Sequence, residues 1–287
     1  MTRAPLIAVG MPVYNAEAWV RQAVVALQQQ TYRDFVLIIN DNASSDNTLG
    51  ICEALARNDD RIRIYRNTEN IGVFRNHEKV FRLSEAKYFK WASANDLCAP
   101  TFLQCCLEAL ESNPGAVLAY PRAVVFTDDP ARGENYPHDV DIRDKSPVDR
   151  FKRVLRDVRL NNAYTGLIRA DTLRKVSANN VYQGSDIVLI AKLALRGEIM
   201  RIPQYLFYRQ MNPQTASSRK DSAGLREFFA SEGRDVLGRP TWDFHWHCLR
   251  AALSAPIPVE DRIRCAAHVA RQFWWARRAI LREMTFR

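Results

Sequence analysis

Short apolar runs alternate with amphipathic stretches over the first 126 residues, and this alternation limits the possible fold more than any other feature of the chain. The apolar runs predict strands at Leu6–Met11, Phe35–Asn40, Ile62–Arg66 and Tyr88–Ala92. The stretches between them predict helices at Ala16–Gln30 with Asn15 as N-cap, Asp46–Arg57, Val73–Ser84 and Thr101–Ser112. This order predicts an α/β fold with a mostly parallel sheet flanked by helices.

The rest of the chain is less regular and divides into two parts. Further strands are predicted at Val117–Tyr120, Ala123–Phe126, Thr165–Arg169, Glu198–Ile202 and Tyr205–Tyr208. Helices are predicted at Val148–Val158, Ile187–Arg196, Trp242–Ser254 and Pro258–Met284, within a helical pattern that begins at Leu225. Residues 127–147 lack periodicity and predict a mobile loop or lid. We therefore expect one domain at residues 1–222 and a C-terminal helical extension at residues 223–287.

Composition narrows the class of protein. The chain has 287 residues, which suits one large domain or one domain with an appendage. Its six cysteines form no Cys-x-x-Cys pair and have no zinc-type spacing with histidine, so we expect reduced thiols. No apolar run approaches 18 residues and the N-terminus has no cleavable signal pattern, so we expect a cytoplasmic protein.

The net charge of +9 favours an anionic partner. Nucleic acid, an anionic membrane surface and phosphorylated small molecules all meet that description. We expect no nucleic-acid partner, because the sequence contains no nucleic-acid recognition motif and only the charge would support one.

Polar residues follow the predicted strands at one edge of the sheet. Pro12, Tyr14 and Asn15 end the first strand, Asp41 ends the second, and Asp96 follows an aromatic strand. Open α/β sheets bind ligands at the carboxyl ends of their strands, so these groups indicate a binding site. Ordinary turn and capping chemistry is the alternative explanation for the Asx and Ser residues there.

A second group of polar residues opens the third predicted helix. Gly72 permits a tight turn after Asn70, and Arg75 could meet a phosphate group. A solvated arginine is the alternative for Arg75.

The order of these motifs resembles the family 2 glycosyltransferases of the GT-A fold. The motifs are PVYN, DNASSDNT, NIG followed by RN, a strand ending in ND with a proline beyond it, and a Gly-Ser-Asp at a helix start. The resemblance covers residues 5–218. A dehydrogenase is disfavoured because the first strand–helix turn lacks G-x-G-x-x-G, and a P-loop kinase because G-x-x-x-x-G-K-[ST] is absent.

The resemblance implies a role for each motif. The residues that it places around the nucleotide and its diphosphate are Pro12, Tyr14, Asn15, Asp41, Asn70, Gly72, Arg75 and Asn95. Asp96 matches the last acid of the family's metal motif, and Asn212 falls where many members carry a metal-binding histidine. Mn²⁺ or Mg²⁺ would act there as a Lewis acid on the diphosphate. Asp186 matches the general base that activates the acceptor hydroxyl, while a helix N-cap or a partner of the helix N-terminal dipole is the alternative role for it.

Three positions depart from the family pattern. Ser93 and Asn95 stand where acids are common, and Asn212 replaces the histidine. One clear carboxylate predicts a weakly held metal that binds together with the nucleotide diphosphate. Arg209, Arg219 or Lys220 would add positive charge, unless this loop is merely solvated.

The C-terminal helical segment combines arginines with a pair of tryptophans. A basic amphipathic helix of this kind suits an anionic membrane surface, so we consider a peripheral position on the inner face of the cell membrane. Packing onto the domain with the arginines in water is the alternative.

The main hypothesis is an inverting glycosyltransferase that uses a nucleotide sugar, most plausibly a UDP-sugar. Its acceptor would be a saccharide or a lipid-linked saccharide of the kind used in surface polysaccharide synthesis. The departures from the family pattern motivate an alternative, a catalytically weak or inactive member that binds nucleotide sugar or saccharide as a partner subunit.

Overall fold

The computed structural model describes residues 4–176, 181–212 and 239–285 of the chain. Residues 213–238 lie outside the described residues. They include Arg219, Lys220, the beginning of the helical pattern at Leu225 and the boundary expected after residue 222.

The first half of the chain forms the predicted parallel sheet. Its strands are β1 (Ile7–Val13), β2 (Phe35–Asp41), β3 (Ile62–Arg66) and β4 (Tyr88–Trp91). They lie in the order β3-β2-β1-β4 and every neighbouring pair is parallel. The connecting helices are α1 (Val20–Gln28), α2 (Thr48–Ala56) and α3 (Val73–Arg82). Every residue of β2 is buried, which explains its continuous apolar sequence.

The second half extends the sheet with mixed pairing. Its helices are α4 (Phe102–Ser112), α5 (Pro147–Asp157), α6 (Ala170–Val176) and α7 (Ser185–Ala194). Its strands are β5 (Leu97–Cys98), β6 (Ala116–Phe126), β7 (Glu134–Asn135), β8 (Leu167–Arg169) and β9 (Glu198–Gln210). From β4 the order continues β8-β6-β9-β5, and β7 pairs with β6. β6 and β9 are parallel, whereas β8, β5 and β7 pair antiparallel with their neighbours.

Two predicted strand breaks are wrong. The sequence predicted two strands on either side of Pro121 and two on either side of Pro203, but β6 and β9 each run through their proline. The ladder between them skips Pro203, because Pro121 pairs with Ile202 and the next residue pairs with Tyr205. A bulge of this kind accommodates a residue that has no N–H to donate.

Residues 127–147 are fastened to the sheet rather than standing over it as a free lid. β7 pairs with β6, and the buried Ile142 forms a bridge with Ile199. The hydroxyl of Tyr120 donates to the Val140 carbonyl and accepts from the Val140 N–H at 2.9 Å. These bonds fix a segment whose sequence has no periodic pattern.

The core has two layers, one on each face of the sheet. Successive residues of β1 enter opposite layers, with Ala8 facing α3 and Ile7 and Val9 facing the other side. Gly10 leaves room for a close approach, because a Cβ there would lie 2.6 Å from the Cζ atom of Phe89.

The C-terminal segment is helical, as predicted. α8 (Pro240–Leu253) and α9 (Val259–Thr285) pack against each other and against α7 and α5. Cys248 on α8 and Cys265 and Val269 on α9 are buried in the same core layer as α7. None of the helices in the described ranges combines the length and the hydropathy that a membrane span requires.

Candidate active site

The predicted site residues lie at the edge where the strand order reverses. β1 lies between β2 and β4, so the chain winds away from β1 in both directions and leaves a crevice at the carboxyl ends. Pro12 and Tyr14 lie at the end of β1, and the side chain of Tyr14 is 48% exposed. Segment 93–96 follows β4 at the same edge. The predicted residues from separate motifs therefore share one edge of the sheet.

Asn15 ties the loop after β1 to the loop after β2. It has a positive φ of 45° and lies ahead of α1, which begins at Val20, so the prediction of Asn15 as its N-cap is wrong. Its N–H donates to Ser44 Oγ at 3.0 Å, and its Oδ1 accepts from the Ser45 N–H at 2.9 Å. Thr48 Oγ1 adds a bond from the Ala16 N–H at 2.7 Å. The two loops therefore hold each other in place.

Asp41 is fixed at the end of β2. Its carboxylate is 1% exposed and accepts the Ser44 N–H at 3.1 Å, while Arg66 Nε lies 3.5 Å away. Asp41 thus lies at the predicted end of β2, and its carboxylate already has partners within the protein.

A network of buried asparagine side chains, which the sequence did not reveal, connects β2 and β3 to α3. Asn40 Nδ2 donates to Asn67 Oδ1 at 3.1 Å and also to Asn76 Oδ1. Asn67 Nδ2 donates to Asn42 Oδ1 at 2.7 Å, and Asn42 Nδ2 donates to Asn70 Oδ1 at 2.7 Å. The network fixes the position of the loop that carries Asn70.

Gly72 and Arg75 open α3 beside that loop. Gly72 is the N-cap with φ 89°, a conformation that other residues adopt only with strain. Asn70 Oδ1 accepts the Gly72 N–H at 3.0 Å. Arg75 is exposed in the first turn and forms no ion pair within the described part of the chain. It therefore remains available to an anion.

Asp96 lies between β4 and the end of β9. Its Oδ1 accepts the Gln210 N–H at 2.9 Å. Burial raises the pKa of the Asp96 carboxyl, although the positive charges of Arg209 and Lys90 and the Gln210 N–H oppose this increase. Lys90 is only 1% exposed, and its ammonium donates to the Trp91 and Thr165 carbonyls beneath the site.

The described residues do not form a complete metal site. Nowhere in residues 4–176, 181–212 and 239–285 do three or more His, Cys, Asp or Glu side chains cluster as metal ligands. Asn95 Oδ1 accepts from the Ser93 hydroxyl at 2.5 Å, and Asn212 Nδ2 donates to Asp128 Oδ1 at 3.1 Å. Asp96 is thus the one predicted ligand that carries a charge. A cation that prefers oxygen ligands, such as Mg²⁺, would need further ligands from elsewhere.

Asp186 lies in the first turn of α7, behind an N-cap glycine. Gly184 has φ 84°, which sets the start of the helix. The Asp186 Oδ2 atom accepts from Asn161 Nδ2 at 3.0 Å. Asp186 is half-buried. Burial raises the pKa of Tyr164 and of Tyr182, and the negative charge of Asp186 adds to both increases. Gly184 holds the N-cap position, so Asp186 is not the cap of α7, but it lies in the first turn, where a carboxylate also interacts favourably with the helix dipole.

Asn161 and Asn162 connect this carboxylate to the Asp96 edge. Asn162 Oδ1 accepts from Arg209 Nη1 at 2.9 Å, and Arg209 precedes the residue whose N–H binds Asp96. Asn162 Nδ2 donates to the buried Asp139 at 2.9 Å. Sequence reasoning missed these residues, and its only available signal was two adjacent amides before a buried strand.

A depression of about 700 Å³ lies at the opposite edge of the sheet. Its lining includes Arg33, Arg57 and Arg61, which lie near the amino ends of β2 and β3. It contains none of the predicted site residues. The carboxyl edge, where Asp96 follows β4 beside the switch in strand order, is therefore the candidate site.

The family model described as glycosyl transferase family 2 matches residues 8–179. An uncharacterised glycosyltransferase of Haemophilus influenzae is 29% identical over 113 residues, which are 39% of this chain and 35% of that protein. The GalNAc(5)-diNAcBac-PP-undecaprenol beta-1,3-glucosyltransferase of Campylobacter jejuni is 32% identical over 82 residues, which are 29% of this chain and 26% of that protein. The chain therefore spans only about a quarter to a third of the length of these curated relatives.

Solved structures share the fold at low sequence identity. Staphylococcus aureus TarS 1–349 in complex with UDP-GlcNAc has a TM-score of 0.66 at 15% identity, covering 93% of this chain and 72% of that chain. The mannosyltransferase PcManGT from Pyrobaculum calidifontis, in complex with GDP-Man and Mn²⁺, has a TM-score of 0.53 at 14% identity. That match covers 96% of this chain and 81% of PcManGT.

Proposed function

The chain belongs to glycosyl transferase family 2, and on this basis we propose that it transfers a sugar from a nucleotide sugar to an acceptor hydroxyl with inversion. The observation that carries the proposal is the pair of acids at one edge of the sheet. Asp96 follows β4 at the switch in strand order, and Asp186 lies in the first turn of α7. Hydrogen bonds through Asn161–Asn162 and Arg209 connect the two sides.

The donor in this proposal is a UDP-sugar. The TarS complex with UDP-GlcNAc supports a uridine nucleotide, and the PcManGT complex keeps GDP-sugars as the nearest competitor. The base and ribose would lie at the carboxyl ends of β1 and β2, next to Pro12, Tyr14, Asn15 and Asp41. The diphosphate would lie towards Asn95 and the start of α3, where Arg75 presents a positive charge beside the turn formed by Asn70 and Gly72.

Asp186 acts as the general base in the proposed reaction. It accepts the proton of the acceptor hydroxyl, whose oxygen forms a bond to the anomeric carbon of the donor. The bond from that carbon to the diphosphate oxygen breaks, and its electron pair leaves with the nucleotide diphosphate. Attack and departure occur on opposite faces of the sugar, so the configuration inverts.

The acceptor in this proposal is a saccharide or a lipid-linked saccharide. The Campylobacter jejuni relative, a GalNAc(5)-diNAcBac-PP-undecaprenol beta-1,3-glucosyltransferase, supports that class. Polysaccharide synthesis at the cell envelope would be the setting, with the enzyme on the cytoplasmic side of the membrane.

A divalent cation, Mn²⁺ or Mg²⁺, is proposed to bind weakly and together with the diphosphate. Asp96 keeps one carboxylate oxygen without a hydrogen bond in the described residues, and Asn212 lies near the same edge. When bound, the ion would supply positive charge to the leaving diphosphate. We expect Mn²⁺ to increase the thermal stabilisation by UDP in the wild type and to add nothing in Asp96→Asn.

The exposed side of α9 supports peripheral contact with an anionic membrane. Its buried side packs on the domain, whereas Ile263, Trp274, Trp275 and Leu281 are 59–68% exposed. Arg277 lies 4.4 Å from the ring centroid of Trp274, so charge and aromatic surface occur together. Packing on the domain and contact with a membrane, the two sequence interpretations of this helix, therefore do not exclude each other.

Vesicle flotation tests the membrane contact. Binding to phosphatidylcholine vesicles that contain phosphatidylglycerol, and weaker binding by the variant Trp274→Ala/Trp275→Ala, is the expected result. Equal recovery of the wild type and the variant, whether or not the vesicles contain phosphatidylglycerol, would contradict it.

A thermal-shift screen of UDP-, GDP- and dTDP-sugars, followed by transfer assays, tests the proposed function. A UDP-sugar should raise the melting temperature most and be consumed when an acceptor saccharide is added. Nucleotide binding without turnover under any metal would favour the inactive, ligand-binding alternative. No stabilisation by any nucleotide sugar would refute both.

A further inference from the structure

One polar atom of the Asn161 side-chain amide forms a hydrogen bond, and the other does not. Its Nδ2 donates to Asp186 at 3.0 Å, while its Oδ1 is buried and has no hydrogen-bond partner within the described part of the chain. A carboxylate can only accept, so the contact with Asp186 requires the amide nitrogen on that side. The unpaired atom is therefore a carbonyl oxygen, which needs a donor from outside these residues.

Tyr182 provides a second unpaired group around the same carboxylate. The residue is 3% exposed, and its hydroxyl is buried without a partner in the described residues. Its ring stacks on His247 with the centroids 3.9 Å apart, so its orientation is fixed. Asp186 is near enough for its charge to contribute to the raised pKa of Tyr182. Two unsatisfied polar atoms thus flank the proposed base.

We propose that Asn161 binds the acceptor, which is a sugar with two neighbouring hydroxyl groups at the reacting end. This inference rests on the proposed function. One hydroxyl faces Asp186 and is the nucleophile, and the adjacent hydroxyl donates to Asn161 Oδ1. The amide nitrogen and oxygen of Asn161 are bonded to the same carbon. Because the nitrogen contacts Asp186, Asn161 Oδ1 lies next to that carboxylate, as two neighbouring hydroxyl groups of one sugar would require.

Asn162 explains why Asn161 holds this orientation. Its side chain is 1% exposed and is anchored on both sides, by Arg209 Nη1 at 2.9 Å and by Asp139 Oδ1 at 2.9 Å. Asp139 in turn accepts the Ala123 N–H of β6 at 2.7 Å. The sheet therefore fixes the loop that presents Asn161, and a fixed acceptor oxygen discriminates strongly against an analogue that lacks the matching hydroxyl.

Kinetics with deoxygenated acceptors test the proposal. The probes are octyl β-glucoside and octyl β-galactoside, each with its monodeoxy derivatives, and UDP-sugar as donor. In the wild type, removing the hydroxyl next to the reacting one should lower kcat/KM by about 10-fold or more. In Asn161→Ala, removing the same hydroxyl should not lower kcat/KM further, because the amide oxygen that would accept from it is already absent.

Two further variants separate acceptor binding from folding. Asn161→Ser keeps a donor for Asp186 but lacks the carbonyl, so it should lose discrimination between the probes while still binding UDP. Asn58→Ala, an exposed asparagine at the opposite edge, should behave like the wild type. Wild-type use of all monodeoxy probes at equal rates would overturn the proposal, whatever the stability of the variants.

The outcomes also distinguish this proposal from the function on which it rests. Hydrolysis of the UDP-sugar without transfer to either glycoside would overturn acceptor binding through a sugar diol and leave donor chemistry intact. If the wild type neither binds UDP nor hydrolyses a UDP-sugar, the proposed function itself is refuted.

Discussion

Replacing Asp186 with asparagine separates catalysis from structure. The new side chain has the same shape, and its amide oxygen can still accept from Asn161 Nδ2, now 3.0 Å from the carboxylate oxygen. The base is lost, and a positioned general base contributes roughly 10²- to 10⁴-fold to rate, so kcat for transfer should fall by that factor. Binding of UDP should not change, because the proposed nucleotide residues lie on other elements.

The size of any stability change decides whether Asp186 merely serves its helix. A carboxylate in the first turn stabilises a helix by about 0.3–1 kcal/mol. Asp171→Asn is the matched control, because Asp171 lies in the first turn of α6 and accepts the Thr172 N–H at 2.7 Å. Chemical denaturation should show similar small losses for both variants.

Transfer kinetics then separate the two roles. Asp171→Asn should retain kcat, whereas Asp186→Asn should lose it while UDP still raises its melting temperature. Undiminished transfer by Asp186→Asn would refute the assignment of Asp186 as the base. A failure of both variants to bind UDP would show that the substitutions disturb the fold and not the chemistry.

Three further substitutions test packing, helix geometry and pH dependence. Gly10→Ala places a Cβ 2.6 Å from Phe89 Cζ and should lower the free energy of unfolding by about 1–3 kcal/mol in urea titrations. Gly184→Ala must adopt φ 84° with its Cβ 2.9 Å from a Phe244 ring atom, so calorimetry should show a lower melting temperature and assays a lower kcat. Burial lowers the pKa of His247, so the unfolded state binds a proton at higher pH than the folded state does, and stability falls as pH drops below about 7. His247→Phe should reduce that decrease in denaturation curves.

The parallel half of the fold follows from local sequence, and the mixed half does not. β1, β2 and β4 are mainly apolar runs and β3 alternates apolar with charged residues, so pattern and structure agree. β5 and β7 have two residues each and are too short to leave a pattern. Pro121 and Pro203 predicted breaks because a proline cannot donate, yet pairing between distant segments accommodates both.

The site divides in the same way. Asp96 and Asp186 were identified because their motifs occur in a recognisable order along the chain. Asn161 was missed because its contact with Asp186 joins positions 25 residues apart, and Asn162 because its partner Arg209 is 47 residues away. Amide side chains also occur in ordinary turns, so their type carries little information until the fold brings their partners to them.

The three departures from the family pattern change the charge of the site in one direction. Ser93, Asn95 and Asn212 each stand where the pattern has an acid or a metal-binding histidine, while Arg209 and Lys90 place positive charge near Asp96. A diphosphate brings negative charge with it, so a site with fewer acids repels it less before any cation binds. We expect the same three residues to lower the affinity of the free protein for a divalent cation and to make cation binding depend more on the diphosphate. The net charge of +9 is consistent with this, because the chain as a whole attracts the same class of ligand.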